Sequence, residues 1–461
     1  MRFLCAVKNH SFDFMSIRSR LGMFDLTMII ISLVIGVGIF KTPAIVAGKA
    51  GSPAVFYMAW IAGGIISIFG ALTFAEIGSR YPVAGGFYKI FSYCYHPAFA
   101  FMVNWIVVIS NAGATAAVAI MGAEYIAPVL LPTVPHDTAI QVITVSAVVI
   151  LYVINMIGIR VSAKLLNGLM LVKLSMLVLL IAAVFFVRGT HAQEVNIVQN
   201  QTPGDMLKAF AMCFIPIFFT YGGYQHTMNF GNDIPDARKT MPRAIFYGIT
   251  IVLVIYLAAN YAYYKILGFS GLAHATTIAS DISGLIFGTV AFKLVSVVMF
   301  LSVMAYVNVN VMSNPRIYFA MAEDNILPPI FKRLNHKTQV QEFAVTLFCA
   351  FIILTLFFIS SFQKILEHVM FFDSISLITA AATIFILRYR AGKEDGSKQV
   401  FKIKGYPVLP AIYILVYIAV NISVFYANPA AATSGFLLFI SGFPLYYLIR
   451  FVLNKKKNKL V

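Results

Sequence analysis

The sequence predicts an all-α membrane protein of twelve transmembrane helices, ten of them forming two inverted repeats of five. Three observations predict it. The 461 residues are 60% hydrophobic and only 11% charged, with a mean hydropathy of +0.87, a composition that soluble domains do not carry. Apolar runs long enough to span a bilayer recur along the whole chain. Two of those runs break near the centre at glycines: Ile35-Gly36-Val37-Gly38-Ile39 in one, Tyr221-Gly222-Gly223-Tyr224 in the other.

The twelve spans are 24–47, 54–79, 98–121, 140–158, 162–187, 206–232, 243–267, 284–315, 343–360, 365–387, 409–426 and 434–452. Span 1 is too long and too weakly flanked for a secretory signal, and no cleavage site follows it. Span 2 ends in Glu76 and Arg80. Pro82, Gly85 and Gly86 then punctuate the chain before a short interfacial helix over Phe87–Tyr95. Spans 3 to 5 lead to a long polar loop, Arg188–Asp205. Span 6 carries the second break. After span 8, Tyr318–Lys332 alternates apolar and charged residues in a helical sense. After span 10, Arg388–Lys404 is the most basic and most soluble stretch. Residues 1–20 form a basic, partly amphipathic cytoplasmic segment (Arg2, Lys8, Arg18, Arg20) laid along the inner membrane surface. Residues 21–453 form one membrane domain, with repeats over about 21–187 and 206–390 and two added helices over about 409–453. Residues 454–461 are a basic cytoplasmic tail that anchors at the lipid surface.

Five spans per repeat is an odd number, so the second repeat must have the opposite topology. Sequence identity between the halves is negligible. The repeat therefore rests on topology and on the matching breaks, centred on Val37 and Gly222. An unwound backbone is tolerated in hydrocarbon only where it lines a protein cavity. Paired breaks in corresponding helices of two halves point to the substrate site of a secondary transporter.

A net charge of +17 suggests nucleic acid at first sight, but the charge follows membrane topology instead. With the N-terminus inside, most of the 34 Lys and Arg fall in cytoplasmic segments. Lys41, Lys49, Arg188, Lys208, Lys265 and Lys364 lie on the outer side, and Lys173 and Lys293 lie within spans. That asymmetry places both termini in the cytoplasm. Cys5, Cys94, Cys213 and Cys349 are scattered without metal-like spacing and predict no disulfide framework. No His pair suits a metal, no nucleophile elbow or phosphate loop is present, and neither a cofactor nor an enzymatic role is expected.

Four separated segments resemble one family in matching order. Leu21-Gly22-Met23-Phe24-Asp25-Leu26-Thr27 leads into Ile35-Gly36-Val37-Gly38-Ile39-Phe40. Ala75-Glu76-Ile77-Gly78 leads to Tyr81-Pro82-Val83-Ala84-Gly85-Gly86-Phe87-Tyr88. Phe219-Thr220-Tyr221-Gly222-Gly223-Tyr224-Gln225 is followed by Asp233-Ile234-Pro235-Asp236-Ala237-Arg238-Lys239 and Met241-Pro242-Arg243-Ala244-Ile245. Asn308 and Arg316 precede Ala320-Met321-Ala322-Glu323-Asp324-Asn325-Ile326-Leu327-Pro328. Together they resemble the amino acid–polyamine–organocation superfamily, especially the branch close to the light chains of heteromeric amino acid transporters. The resemblance implies the inverted-repeat fold shared with sodium-coupled leucine-type transporters. It also implies transport of an amino acid across the plasma membrane by alternating access. The short termini fit a bacterial inner membrane. Two departures matter. Gly222 stands where light chains often have an acid, which favours a neutral substrate. The loop Gly122–Thr138 lacks the cysteine that tethers a light chain, so no disulfide-linked heavy chain is expected.

On this reading the N–H groups at Gly36-Val37-Gly38 hold the substrate carboxylate at a positive helix end. Carbonyls around Ile35 and Phe219–Gly222 accept from its ammonium group. The binding set is Ile35, Gly36, Val37, Gly38, Ile39, Phe219, Thr220, Tyr221, Gly222, Gly223 and Tyr224. Close helix packing is the alternative reason for such glycines, and Gly63-Gly64 in span 2 are assigned to it. Tyr221 and Tyr224 are candidates for a wall or gate, Tyr221 alternatively for bundle packing. Phe219 has the family's gate-like position. Asn104 and Asn111 in span 3 and Asp373 in span 10 are candidates for gating or selectivity, Asp373 alternatively for an ion pair with Lys293. Glu76, Arg80, Asp233, Arg238 and Arg316 read as inner-gate or loop-stapling charges. Intramembrane charges are costly and face a cavity or a partner. The resemblance places Lys173 near spans 1 and 8, where sodium-coupled relatives bind an ion. There it either couples transport to protons or serves as a permanently charged strut. Obligate exchange and an amino acid sensor are the two rival functions.

Overall fold

The computed structural model describes residues 21–36, 38–83, 85–185, 202–275, 278–358, 362–391, 400–427 and 429–458. The lead-in 1–20, Val37, most of the loop 188–205, residues 392–399 of the basic stretch, and the chain beyond Asn458 lie outside these residues. The helices in order are α1 (Met23–Val34), α2 (Gly38–Ala50), α3 (Pro53–Arg80), α4 (Gly86–Cys94), α5 (Pro97–Leu130), α6 (His136–Ile157), α7 (Ile159–Ala182) and α8 (Pro203–Tyr221). They continue with α9 (Ala237–His274), α10 (Ile278–Ser313), α11 (Pro315–Glu323), α12 (Glu342–Phe358), α13 (Phe362–Ala391), α14 (Val408–Ala427) and α15 (Pro429–Asn458). No strand is present among the described residues. Among the described residues, ten helical segments are long and apolar enough to cross a membrane, and two shorter apolar helices, Glu342–Leu356 and Val408–Ser423, join them. The chain is a multi-pass, all-helical membrane protein.

Span 1 is α1 plus α2, interrupted where the glycines stand, because glycine costs about 1 kcal/mol in a helix interior relative to alanine. Span 6 differs from the expected continuous run beyond its break. Two short 3-10 helices, Tyr224–Asn229 and Gly231–Asp233, follow Gly222-Gly223, and the first is the longer. Its first i→i+3 bond runs from the His226 N–H to the Gly223 carbonyl at 3.1 Å, the tighter winding typical of short pieces. Span 7 was expected to end at residue 267. The next residue, Gly268, has φ +71° and kinks α9 there before the helix resumes.

The two broken spans pack against each other, α2 on α8 and α1 on the 3-10 segment, while α9 supports both. Span 2 lies close behind them. A Cβ at Gly63 would sit 2.3 Å from Ile217 of α8, and one at Gly64 2.3 Å from Leu253 of α9. These two glycines serve helix packing.

At the end of the bundle where α3 finishes, buried charges tie distant segments together. Glu76 is fully buried and accepts from Arg80 Nε at 2.8 Å, from Arg388 Nε and Nη2 at 2.8 and 2.7 Å, and from the Ile403 N–H at 2.7 Å. Arg388 also lies 3.7 Å from the ring centroid of Tyr406. Arg316 Nε donates to Asp233 at 2.8 Å, both side chains buried, with the guanidinium 4.4 Å from the centroid of Phe230. Lys89 of α4 pairs with Asp324 at 2.5 Å and Glu323 at 3.3 Å. Glu76→Ala leaves two guanidinium groups facing an emptied site. It is expected to destabilise the protein by about 3 kcal/mol, read as a clear fall in the melting temperature of the detergent-purified protein. An unchanged melting temperature would show that the network holds nothing together.

Candidate functional site

A helix leaves its first N–H groups and last carbonyls without internal partners. At the two breaks this releases the carbonyl ends of α1 and α8 and the amino end of α2 into one region. Several of the released groups find partners nearby. The Tyr256 hydroxyl of α9 lies 3.0 Å from the Val34 carbonyl and 3.1 Å from the Thr220 carbonyl. One hydroxyl thus bridges both breaks. Lys173 is fully buried, and its Nζ donates to the Ile35 carbonyl at 2.5 Å. The Gly36 N–H turns back to Val34 at 2.8 Å, and Gln225 Oε1 accepts from the Gly223 N–H at 3.0 Å. Thr220 has its hydroxyl 2.8 Å from the Pro216 carbonyl and 2.7 Å from the Thr42 hydroxyl, which ties α8 to α2.

Between the breaks lies a cavity of about 60 Å³. Gly36 and Gly38 line it from the first break, and Phe219, Thr220, Gly222 and Gly223 from the second. Asn111 of α5 and Asp373 of α13 also face it. The approach of the breaks is close. A Cβ at Gly38 would lie 2.8 Å from the Thr220 side chain, and one at Gly223, where φ is +112°, would lie 2.2 Å from the Leu33 carbonyl oxygen.

Other residues singled out in the sequence lie elsewhere. Ile35 and Ile39 are buried in the core, with Ile35 contributing its carbonyl to Lys173. Val37 lies outside the described residues. Tyr221 follows Thr220 by one residue, a turn of about 100° on a helix. Its ring packs against Trp60 and Tyr256, with centroids 5.8 and 5.1 Å away. Tyr224 places its hydroxyl 3.4 Å from that of Tyr413. Asn104 is buried and donates to Ala100 of its own helix at 2.7 Å. It shares the Asn111 face of α5 but sits two turns, about 10 Å, further along. Lys293 is exposed, and no ion pair joins it to Asp373 among the described residues. It lies roughly opposite Tyr306 around α10, thirteen residues away at 3.6 per turn, so it cannot reach the cavity that Tyr306 lines.

The cavity also holds residues that the sequence reading missed. His226, Gln225, Tyr306, Asn310 and Tyr417 line it, and the His226 ring stacks on Phe87 with centroids 5.7 Å apart. His226 carries a readable signal, a lone imidazole just past a glycine break in an apolar run. So does Asn310, one of two asparagines in the last turns of α10, with Asn314 just beyond its end. Asn111 Nδ2 donates to Asn314 Oδ1 at 2.7 Å, Asn314 to the Asn310 carbonyl at 3.0 Å, and Asn310 to the Tyr306 carbonyl at 3.0 Å. This chain fixes α5 to α10 beside the cavity. The tyrosines carry no such signal, since the chain has 23 of them. The assembled site offers a positive helix end, two negative helix ends and, from Asp373, a carboxylate. It suits a small dipolar molecule.

The family described as amino acid permease matches residues 21–449. The chain belongs to that family. The permease is a transporter and not an enzyme. It is 28% identical to the serine/threonine exchanger SteT of Bacillus subtilis, over 94% of this chain and 97% of that protein. It is 25% identical to the human large neutral amino acids transporter small subunit 2, over 94% of this chain and 81% of that protein. With the human cystine/glutamate transporter it shares 26% identity over 94% and 85% of the two chains. The family expected from the four motifs is therefore the family found, and the match covers both broken spans.

Proposed function

We propose that the permease carries a small neutral amino acid across the plasma membrane by alternating access, with Lys173 as the proton-coupling group. The observation that carries this reading is the convergence of the α2 amino end and the α1 and α8 carbonyl ends on one cavity. A zwitterion presents a carboxylate and an ammonium group, and those helix ends can receive both without a dedicated charged pair. The cavity volume favours a short side chain, and Gly222 leaves the second break without an acid. Lys173 contacts the unwound backbone itself, so a change in its protonation acts where the two halves meet. The positive-inside charge distribution supports a cytoplasmic location for the Glu76 and Asp233 networks and for both termini. A bacterial inner membrane and the absence of a disulfide-linked heavy chain belong to the same reading.

Competition by each of the twenty amino acids in proteoliposomes, with and without a pH gradient, tests it. Burying an unpaired cationic head costs several kcal/mol, so neutral amino acids are expected to outcompete arginine and lysine by about a hundredfold. Asp373 is the one acid lining the cavity among the described residues, and arginine or lysine outcompeting every neutral amino acid would overturn the neutral assignment. A second reading, obligate exchange with Lys173 as a fixed strut, gains support from the relative named as an exchanger. Efflux that requires substrate on the opposite side would select it. A sensor would show no liposome uptake at all.

A further inference from the structure

Away from the cavity, an open groove of about 490 Å³ lies at the end of the bundle where α3 finishes and α9 begins. The charged residues of its lining are all basic: Arg238, Lys239 and Arg243. Leu72, Phe246 and Phe401 supply apolar walls. We propose that this groove binds the headgroup of an anionic phospholipid from the adjoining leaflet.

Three observations favour a lipid over other occupants. The first is unspent charge. Among the described residues neither Arg238 nor Arg243 has a side-chain hydrogen bond or ion pair. Lys239 has only Asp236, at 3.8 Å, with both side chains at least half exposed, a pair of little strength. The second is the surface that leads out of the groove. Arg243 is exposed, and Phe246, Tyr247, Ile251 and Val254 follow it at 45%, 54%, 40% and 61% exposure. Their spacing puts them on one stripe of α9. A headgroup held at Arg243 therefore has an apolar track for its acyl chains, with a tyrosine at the depth where such rings sit in membrane interfaces. The third is the rigidity of the far wall. The Ser79 hydroxyl donates to the Arg238 carbonyl at 2.9 Å and accepts from the Phe401 N–H at 2.9 Å. The wall is thus pinned to α3 three residues from the buried Glu76. A soluble anion would use the cations but not the stripe. A basic groove at the end of transmembrane helices is a recurrent anionic-lipid site.

The test uses the full-length protein in nanodiscs of phosphatidylcholine with graded phosphatidylglycerol, and reads lipid retained on the purified protein by native mass spectrometry. Wild type is expected to retain phosphatidylglycerol in preference to phosphatidylcholine. Each cation is worth about fivefold near an anionic surface. The triple variant Arg238→Gln/Lys239→Gln/Arg243→Gln should therefore lose on the order of a hundredfold in that preference. The control Lys332→Gln/Arg333→Gln removes two cations outside the groove and should retain the preference. A second variant, Phe246→Gln/Val254→Gln, keeps the cations and interrupts the stripe; it should weaken retention of the lipid. Equal retention of the two lipids by wild type, or an undiminished preference in the triple variant, overturns the proposal. Displacement of phosphatidylglycerol by millimolar inorganic phosphate, with no effect of the stripe variant, overturns it in favour of a free-anion site.

Discussion

Gly223→Ala is expected to abolish amino acid binding, by at least a hundredfold in affinity, while the protein still inserts and purifies as a folded species. Two independent costs fall on one methyl group. The residue sits at φ +112°, where a side chain is strained by about 1–3 kcal/mol. Its Cβ would stand 2.2 Å from the Leu33 carbonyl oxygen. That neighbour is backbone and cannot rotate away, so α1 or the 3-10 segment has to move. Either movement displaces a wall of the cavity and shifts the Val34 and Thr220 carbonyls off Tyr256. Gly222 is less constrained. Its φ is −70°, and its Cβ would meet the Phe218 carbonyl at 3.1 Å, so Gly222→Ala should cost less than Gly223→Ala. The bulkier changes Gly222→Val and Gly38→Val should again remove binding, the latter because Thr220 is already 2.8 Å from a Cβ at Gly38. Gly168→Ala on α7 is the control, since a Cβ there meets nothing within 4 Å. Equilibrium binding of a radiolabelled amino acid to purified protein, with size-exclusion profiles beside it, makes the comparison. Gly223→Ala with wild-type affinity would place the substrate elsewhere.

The breaks were legible because glycines stand near the centre of two corresponding apolar runs, a pairing that Gly63-Gly64 in the continuous helix α3 does not provide. Two glycines in the middle of an apolar run weaken the helix whatever surrounds them. The charges at the end of the bundle where α3 finishes were legible for a related reason: Glu76, Asp233 and Arg316 cannot be buried without partners. Arg388, which completes the Glu76 site from α13 more than three hundred residues later, was not legible as its partner. Nothing local in the sequence marks that contact. Tyr256 was missed for a different reason. Its role arises only when the carbonyls released by two breaks, far apart in sequence, come within reach of one hydroxyl on a third helix. Tyr221 shows the converse limit. It stands inside the break motif, yet a rotation of one residue turns it from the cavity to the Trp60 side. Period and spacing identify which segments unwind, but not which way each residue beside the break will point.

Lys173→Ala is expected to abolish uptake driven by an inward proton gradient while leaving counterflow exchange active. The side chain reaches from α7 to the Ile35 carbonyl at 2.5 Å and is buried throughout. A charged ammonium binds a carbonyl oxygen more strongly than a neutral amine does, so the charge on Lys173 and the strength of this contact are linked. The conformational consequence follows from position. Ile35 lies at the end of α1, next to Gly36 of the cavity wall, so a stronger ammonium bond there stabilises one arrangement of the break and a weaker amine bond releases it. Alanine removes both states of the switch and leaves the Ile35 carbonyl without its donor. Net uptake then loses its link to the gradient, whereas exchange needs only that the loaded carrier reorient. A fixed strut predicts a different pattern, because losing it would slow reorientation itself and depress both activities together. The two assays run on one preparation of wild type and variant. Equal loss of uptake and counterflow assigns Lys173 to the strut, and a wild type whose uptake ignores pH removes the proton from the mechanism.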